Sequence, residues 1–332
     1  MARQARPGID RALEPRHGVS RDGQPLSYNR APAADLAPWI ARLYFTAVKA
    51  PADYRLACGL FNDTAFIRIQ LAGDWTAETA DGPRAYDRSA LFFGPQSKRM
   101  PVTVTGSFVS VGVSLRPGAC HALGGPKLAD FVDRLIDCRQ VGISSPGFLA
   151  GLDADGDPEA AFLGIEAYLR ERAAQWDGRE PDPLTARFEA LAFANPSAGV
   201  ADFARECGVD QRRLERLVRR DFGMAPKQVL RRARALDMAS HLRGVADADE
   251  ADELALRYYD QSHLIHEFTE LFGMSPRQFV ETPQPVLTLA LESRQARRLE
   301  AIARLAPGAK RPWEMASDQA APQASAQQRC GA

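Results

Sequence analysis

Between residues 40 and 117 the apolar positions come in short runs that often alternate with polar ones. Ala65, Ile67, Ile69 and Leu71 share one face of an extended chain, and Val109, Val111, Val113 and Leu115 share a face of another. Ala80-Asp81-Gly82-Pro83 and Phe93-Gly94-Pro95 are turn sequences between such runs, so this region reads as β-rich. From Leu128 the period changes. Leu128, Phe131, Val132, Leu135 and Ile136 stand at helical spacing, and a second helix is predicted over 158–175. The segment 177–183 carries Gly178, Pro181 and Pro183, cannot continue a helix, and marks a boundary. Beyond it the apolar period is helical. The predicted fold class is α+β: a β-rich N-terminal domain with trailing helices, then an all-α domain. The domains read as a disordered 1–26, a sensory or regulatory domain at 27–176, the linker 177–183, a helical domain at 184–282, and a mostly disordered tail at 283–332. Within that tail Leu291, Leu299 and Ile302 stand beside Arg294, Arg297 and Arg298, which leaves open a short amphipathic helix or a solvated segment.

The helical part contains an internal repeat. Phe222-Gly223-Met224-Ala225-Pro226-Lys227-Gln228-Val229 and Phe272-Gly273-Met274-Ser275-Pro276-Arg277-Gln278-Phe279 correspond at an offset of 50 residues, and the match extends back through Asp210-Gln211 with Asp260-Gln261 and Leu214 with Leu264. The first copy has the parts of a helix-turn-helix. Val200, Phe203, Ala204 and Cys207 form an apolar stripe, Gly208 permits a tight turn, and Asp210 caps a second helix whose Leu214, Leu217 and Val218 turn inward. Gly223 ends that helix and Pro226 starts a longer one, to about residue 243, which joins the copies.

Charge changes the picture locally rather than globally. The chain has 332 residues and no formal net charge, which argues against a uniformly basic nucleic-acid binder. Yet residues 205–234 hold ten cations against four carboxylates, whereas 243–282 hold three against nine. Arg212, Glu215 and Arg216 fall at i, i+3 and i+4 on the outward face, near the start of the helix that would enter a major groove, where arginine can bond a guanine edge. Arg213, Arg219, Arg220 and Arg231 belong to the surrounding phosphate-facing patch.

At these residues the chain resembles the AraC family of bacterial transcription regulators. Tyr259-Asp260-Gln261-Ser262-His263-Leu264, followed by Phe268 and Phe272-Gly273-Met274-Ser275-Pro276, is similar to that family's second-unit signature, and the likeness covers about 184–282. Val111-Gly112-Val113-Ser114-Leu115-Arg116-Pro117-Gly118 resembles, less specifically, a segment of N-terminal domains attached to such regulators. The resemblance implies two helix-turn-helix units joined by one long helix, with base contacts from Arg212, Glu215 and Arg216 in the first unit and from Gln261, Ser262, Ile265 and His266 in the second. Two features depart from the family pattern. His266 stands where arginine is common, and Leu264 follows Ala255 by nine residues where Leu214 follows Ala204 by ten, so the second turn is short. The first unit is therefore expected to supply most of the sequence reading. Double-stranded DNA is the implied partner. RNA polymerase, a small-molecule effector and a second copy in a homodimer are further candidates. The alternative is a ligand-binding or protein-interaction module with a degenerate DNA-binding domain.

Other classes are disfavoured. No nucleophile elbow, Walker loop, zinc-protease or dinucleotide fingerprint is present, so no enzyme, cofactor or metal site is expected. Five cysteines without a C-x-x-C pair fit neither a disulfide framework nor a zinc finger, and no stretch reads as a signal peptide or membrane span, which makes cytoplasmic the expected location. His121 beside Cys120 reads as ordinary packing. Trp39, Trp75, Phe92 and Phe93 would fill a core or line an effector pocket.

Overall fold

The computed structural model describes residues 7–8, 10–16, 27–143, 149, 151–246 and 261–305, excepting the side chains of 15, 261–263 and 302–305. The N-terminal part is one antiparallel sheet of β1 (Glu14–Pro15), β2 (Tyr28–Arg30), β3 (Ile40–Lys49), β4 (Arg55–Leu60), β5 (Phe66–Thr79), β6 (Gly82–Tyr86), β7 (Ser89–Phe93), β8 (Met100–Leu115) and β9 (Leu135–Asp137). Strand β8 is its axis: β5 runs along one edge, while β4 and then β3 share the other. Both long strands break at a glycine, Gly73 with φ +100° and Gly106 with φ +70°, conformations that a side chain would strain. The β5–β8 register shifts between Gln70 and Asp74. A shift of one residue exchanges faces, so the two halves of these strands feed separate cores.

In the first core Ile67 pairs with Val113 and Ile69 with Val111, so the two apolar rows read from the sequence lie side by side on one face. They pack with Phe45, Phe92 and, from α2 (Pro158–Ala174), Phe162, Ile165 and Leu169. The second core joins Leu56, Cys58 and Leu60 of β4 to Val102, Val104, Trp75 and Phe93. Trp39, Trp75, Phe92 and Phe93 are all buried in these cores.

The chain continues through α1 (Ala119–Ala122) and α2 to α3 (Pro183–Ala194), α4 (Val200–Glu206), α5 (Gln211–Phe222), α6 (Pro226–Leu242), α7 (Gln261–Phe272), α8 (Pro276–Glu281) and α9 (Pro285–Leu305). The α+β reading holds: a sheet-rich part precedes a helical one. Among the described residues no helix is long and apolar enough to cross a membrane.

Three local expectations are corrected. The helix predicted from Leu128 is a single 3-10 turn, Leu128–Phe131, followed by Asp133 at φ +57° and strand β9. The carboxylate of Asp133 accepts from the Ser97 N–H at 2.8 Å, which stabilises the reversal, and the free edge of β7 pairs Phe92 with Ile136 and Phe93 with Leu135. Within the stretch read as a disordered N-terminus, Glu14 and Pro15 pair with Lys49 and Val48 on the edge of β3. The stretch read as mostly disordered tail holds the 21-residue helix α9. Its Leu287 and Leu291 are fully buried with Phe61 and Phe279, so its apolar face finds partners from both parts of the molecule.

Buried charge accompanies that contact. Arg294 reaches Asp237 of α6 at 2.6 Å and Asp63 of the β4–β5 loop at 3.2 Å, while Arg297 reaches Asp63 at 2.6 Å and Glu189 of α3 at 2.8 Å. Burial pushes the Asp63 carboxyl up, but Arg297, Arg294 and Arg232 together hold it down at about 2. Arg232, buried in α6, donates to the carbonyls of Gln96 (2.9 Å) and Asp63. The helical part is thus tied to the sheet at several points.

Candidate nucleic-acid interface

The first unit is α4 and α5 joined through Gly208, at φ +67°. The Asp210 carboxylate accepts from the Arg213 N–H at 2.8 Å and so caps α5, as expected for an aspartate before a helix. Leu214, Leu217, Val218 and Phe222 face inward, where Phe188 meets Phe203 and Phe222 edge-on at 5.7 and 5.4 Å. Gly223 takes the left-handed conformation at φ 74° and closes the helix. Pro226 then opens α6 at its first turn, where the Gln228 side chain accepts from the Ala225 N–H at 3.0 Å.

The burial of one face leaves Gln211, Arg212, Arg213, Glu215, Arg216, Arg219 and Arg220 exposed. Arg212, Glu215, Arg216 and Arg219 line one groove of about 580 Å³ together with Lys227 at the start of α6. Gln211 donates to Glu215 at 2.8 Å, which positions that carboxylate on the groove wall. Arg212, Arg213, Arg216, Arg219 and Lys227 form no ion pair with any described residue. The other cations of the basic stretch are engaged. Arg205 pairs with Asp202 at 3.0 Å, and Arg220 grips the buried Asp221 through two bonds of 2.6 and 2.8 Å. Arg231, read as phosphate-facing, pairs with Glu270 (3.1 Å) and Glu267 (3.5 Å) of α7. Arg234 holds Glu267, and Arg232 is buried. Lys227 enters the groove without having been singled out from the basic run. The signal for it was its place one residue after Pro226, in the first turn of a helix that starts beside α5.

In the second unit α7 buries Leu264, Phe268, Leu271 and Phe272, with Phe268 stacked on Phe272 at 4.1 Å and Phe279 edge-on to both. Ser275 and Gln278 form a reciprocal cap at the start of α8. Ile265, 46% exposed, and His266 share the outer face of α7 with Thr269, whose hydroxyl donates back to the Ile265 carbonyl at 2.7 Å. The side chains of Gln261 and Ser262, and the short turn before them at 247–260, lie outside the described residues. The two copies differ at several inward positions, and one of them changes an apolar residue for a charged one. Leu217 of α5 corresponds to Glu267 of α7, 5% exposed, whose carboxylate accepts from Arg234 Nη2 at 2.9 Å. An apolar contact in the first copy is thereby an ion pair in the second.

Residues 203–282 match the family model of a helix-turn-helix domain, and residues 28–137 match that of a domain of unknown function, DUF6597. A comparison with curated proteins finds no match. Among solved structures the chain is similar to ToxT of Vibrio cholerae with an unsaturated fatty acid bound, at 11% identity and a TM-score of 0.41, covering 72% of this chain and 94% of that one. It is similar to the AraC-like transcriptional activator CuxR at 14% identity and a TM-score of 0.27, covering 73% and 89%. A cupin domain of Bordetella pertussis Tohama I is matched at 11% identity and a TM-score of 0.17, covering 30% of this chain and 99% of that one. In residues 203–282 the chain therefore carries an AraC-type helix-turn-helix domain, the DNA-binding module of transcription regulators.

Proposed function

We propose that the chain is a sequence-specific regulator of transcription that inserts α5 and α7 in successive major grooves of double-stranded DNA, about one helical turn apart. One observation carries this reading: five cations of the first unit, Arg212, Arg213, Arg216, Arg219 and Lys227, are exposed and without an ion-pair partner among the described residues, four of them around one groove, while the remaining cations of the same stretch are locked in ion pairs or buried. Arg212 and Arg216 read bases, with Glu215 held by Gln211 between them. Arg213, Arg219 and Lys227 meet phosphates and set affinity. In the second unit Ile265 and His266 offer an apolar and a polar contact, and no cation from within α7. The N-terminal part exerts control through its direct contacts with α5, α6 and α9.

The test is selection of genomic fragments by the full-length chain at two salt concentrations, with Arg212→Ala/Arg216→Ala as the control. The reading requires a discrete motif from the wild type and none from the control. The exposed face of α7, free of cations, favours a second reading in which this helix no longer reads DNA. In that case the selected motif spans one half-site only, and His266→Ala leaves it unchanged.

A further inference from the structure

The strands β3, β8 and β5 have a polar face. Directly paired residues form rows across the three strands: Tyr44, Gly112 and Arg68 in one, Thr46, Ser110 and Gln70 in the next. The apolar rows point the opposite way, into the core shared with α2. The polar face is covered by α9, and between them lies a cavity of about 30 Å³ lined by Tyr44, Asn62, Arg68 and Ser114 and, from α9, Leu289 and Ser293. Gly112 is what allows the ring of Tyr44 to lie against β8, since a Cβ there would come within 1.7 Å of it.

Arg68 is 2% exposed and forms no ion pair with any described residue. Its Nη2 donates to the Ser110 hydroxyl at 3.0 Å and its guanidinium lies 4.4 Å from the centre of the Trp75 ring, but its Nε has no hydrogen-bond partner, and neither has the Ser293 hydroxyl. A second guanidinium, that of Arg99, lies against the backbone of Gly59, also lacks a partner at Nε, and has its pKa lowered by burial. Both charges act on the buried Cys58 thiol. The buried Arg68 guanidinium and the partly buried one of Arg99 thus have no carboxylate beside them among the described residues, and for Arg68 one hydroxyl and one aromatic face stand in for it.

We propose that this cavity binds a small carboxylate, held by the Arg68 guanidinium with the Tyr44 and Ser293 hydroxyls as further donors and roofed by α9. A planar group with two oxygens matches an arginine edge, and a monoanion matches the single charge that lines the cavity. The volume has room for about two water molecules, matching the two oxygens of a carboxylate, so only the smallest carboxylates are admitted. The site concerns ligand binding alone and its test contains no DNA, so its failure is separate from failure of the DNA-binding reading.

The full-length chain is titrated calorimetrically with sodium acetate and sodium propionate at constant ionic strength held with sodium chloride, with acetamide and phosphate as comparison ligands. Saturable binding of a carboxylate, none of acetamide, and at least tenfold weaker binding by Arg68→Met with an undiminished melting temperature are expected. Heats no different from those of chloride, unchanged affinity in Arg68→Met, or phosphate binding more tightly than either carboxylate would overturn the proposal. Should Arg68→Met not fold, Ser293→Leu, which fills the cavity from α9, must abolish binding, and retained affinity there overturns it equally.

Discussion

Asp221 and Leu271, fifty residues apart and equivalent in the two copies of the repeat, each give their main-chain carbonyl to a backbone N–H of the sheet-bearing part: Asp221 to Gly118 at 3.4 Å and Leu271 to Arg99 at 2.8 Å. The last turns of α5 and α7 are therefore docked in the same way, the first held also to α3 and the second reinforced by a ring contact to the β4–β5 loop. Asp221 is buried and accepts from Thr185, while Phe272 meets Phe61 edge-on at 5.2 Å. The outward faces at Arg212 and Arg216 of α5 and at Ile265 and His266 of α7 stay open. Both helix ends are thus tied to the same sheet-bearing part.

The two capping glycines separate backbone strain from docking. Gly273 has φ +69° with open space at its Cβ position, so Gly273→Ala should cost only the left-handed penalty, about 1 kcal/mol. Gly223 has φ +74°, and a Cβ there would meet Pro95 at 2.8 Å and the Leu128 carbonyl at 3.1 Å. Gly223→Ala should therefore lower the melting temperature clearly more than Gly273→Ala and should loosen α5 from the sheet. Equal melting temperatures for the two variants in thermal unfolding would show that the contact with Pro95 and Leu128 contributes nothing.

Arg216 and Arg219 stand one helical step apart on α5, and their losses should differ in kind. Arg216→Ala should cost about 1–3 kcal/mol at one base position and relax the preference there. Arg219→Ala should weaken binding to all sequences and reduce the slope of log affinity against log salt by about one. Fluorescence anisotropy with the selected site and single-base variants, at several salt concentrations, distinguishes the two. Uniform weakening by Arg216→Ala would remove it from the base-reading set.

Glu267 depends on Arg234. Glu267→Ala leaves a guanidinium, 23% exposed, without its best partner and should destabilise the second unit by about 2–4 kcal/mol. Arg234→Leu with Glu267→Leu restores an apolar contact like that of Leu217 and should recover most of the loss. Denaturant midpoints of the two variants and their combination give the coupling directly. Additive losses would mean that the pair is not coupled.

Burial raises the Glu292 carboxyl of α9 from 4.5 to about 7. The folded chain then keeps this proton up to about pH 7 while the unfolded chain releases it near 4.5, so stability falls as pH rises through this window and the penalty is complete above it. Glu292→Gln should be more stable than wild type by about 2–3 kcal/mol at pH 8, with the difference vanishing by pH 4.5. Melting temperatures of both proteins across that range check the sign. A constant difference would place the effect elsewhere than in this proton.

Sequence patterns carried far where they are local. Helix ends at Asp210, Gly223, Pro226 and Ser275 follow from residue types whose preferences act over one turn, and the inward set Leu214, Leu217 and Val218 follows from a period of 3.6 residues. The groove residues Arg212, Glu215, Arg216 and Arg219 were legible for the same reason, as positions on one face of one helix. Residues 128–137 were misread because apolar spacing near four fits either a helix or a turn followed by a strand. The choice was made by the free edge of β7, which is distant in sequence.

By itself the sequence determined the repeated pattern that gives α5 and α6 and again α7 and α8, the alternating strands before it and the basic face of α5, since periodicity, capping and charge are properties of neighbouring residues. Only the tertiary structure decided which of ten cations remain unpaired, because Glu267 and Glu270 come to Arg231 and Arg234 from another helix. Only it decided that α9 folds back over the sheet, where Asp63, Asp237 and Glu189 meet its arginines, and that Arg68 is enclosed with no carboxylate paired to it among the described residues. Each of these depends on groups brought together from far apart in the chain, and charge pairing and burial are set by distance in space.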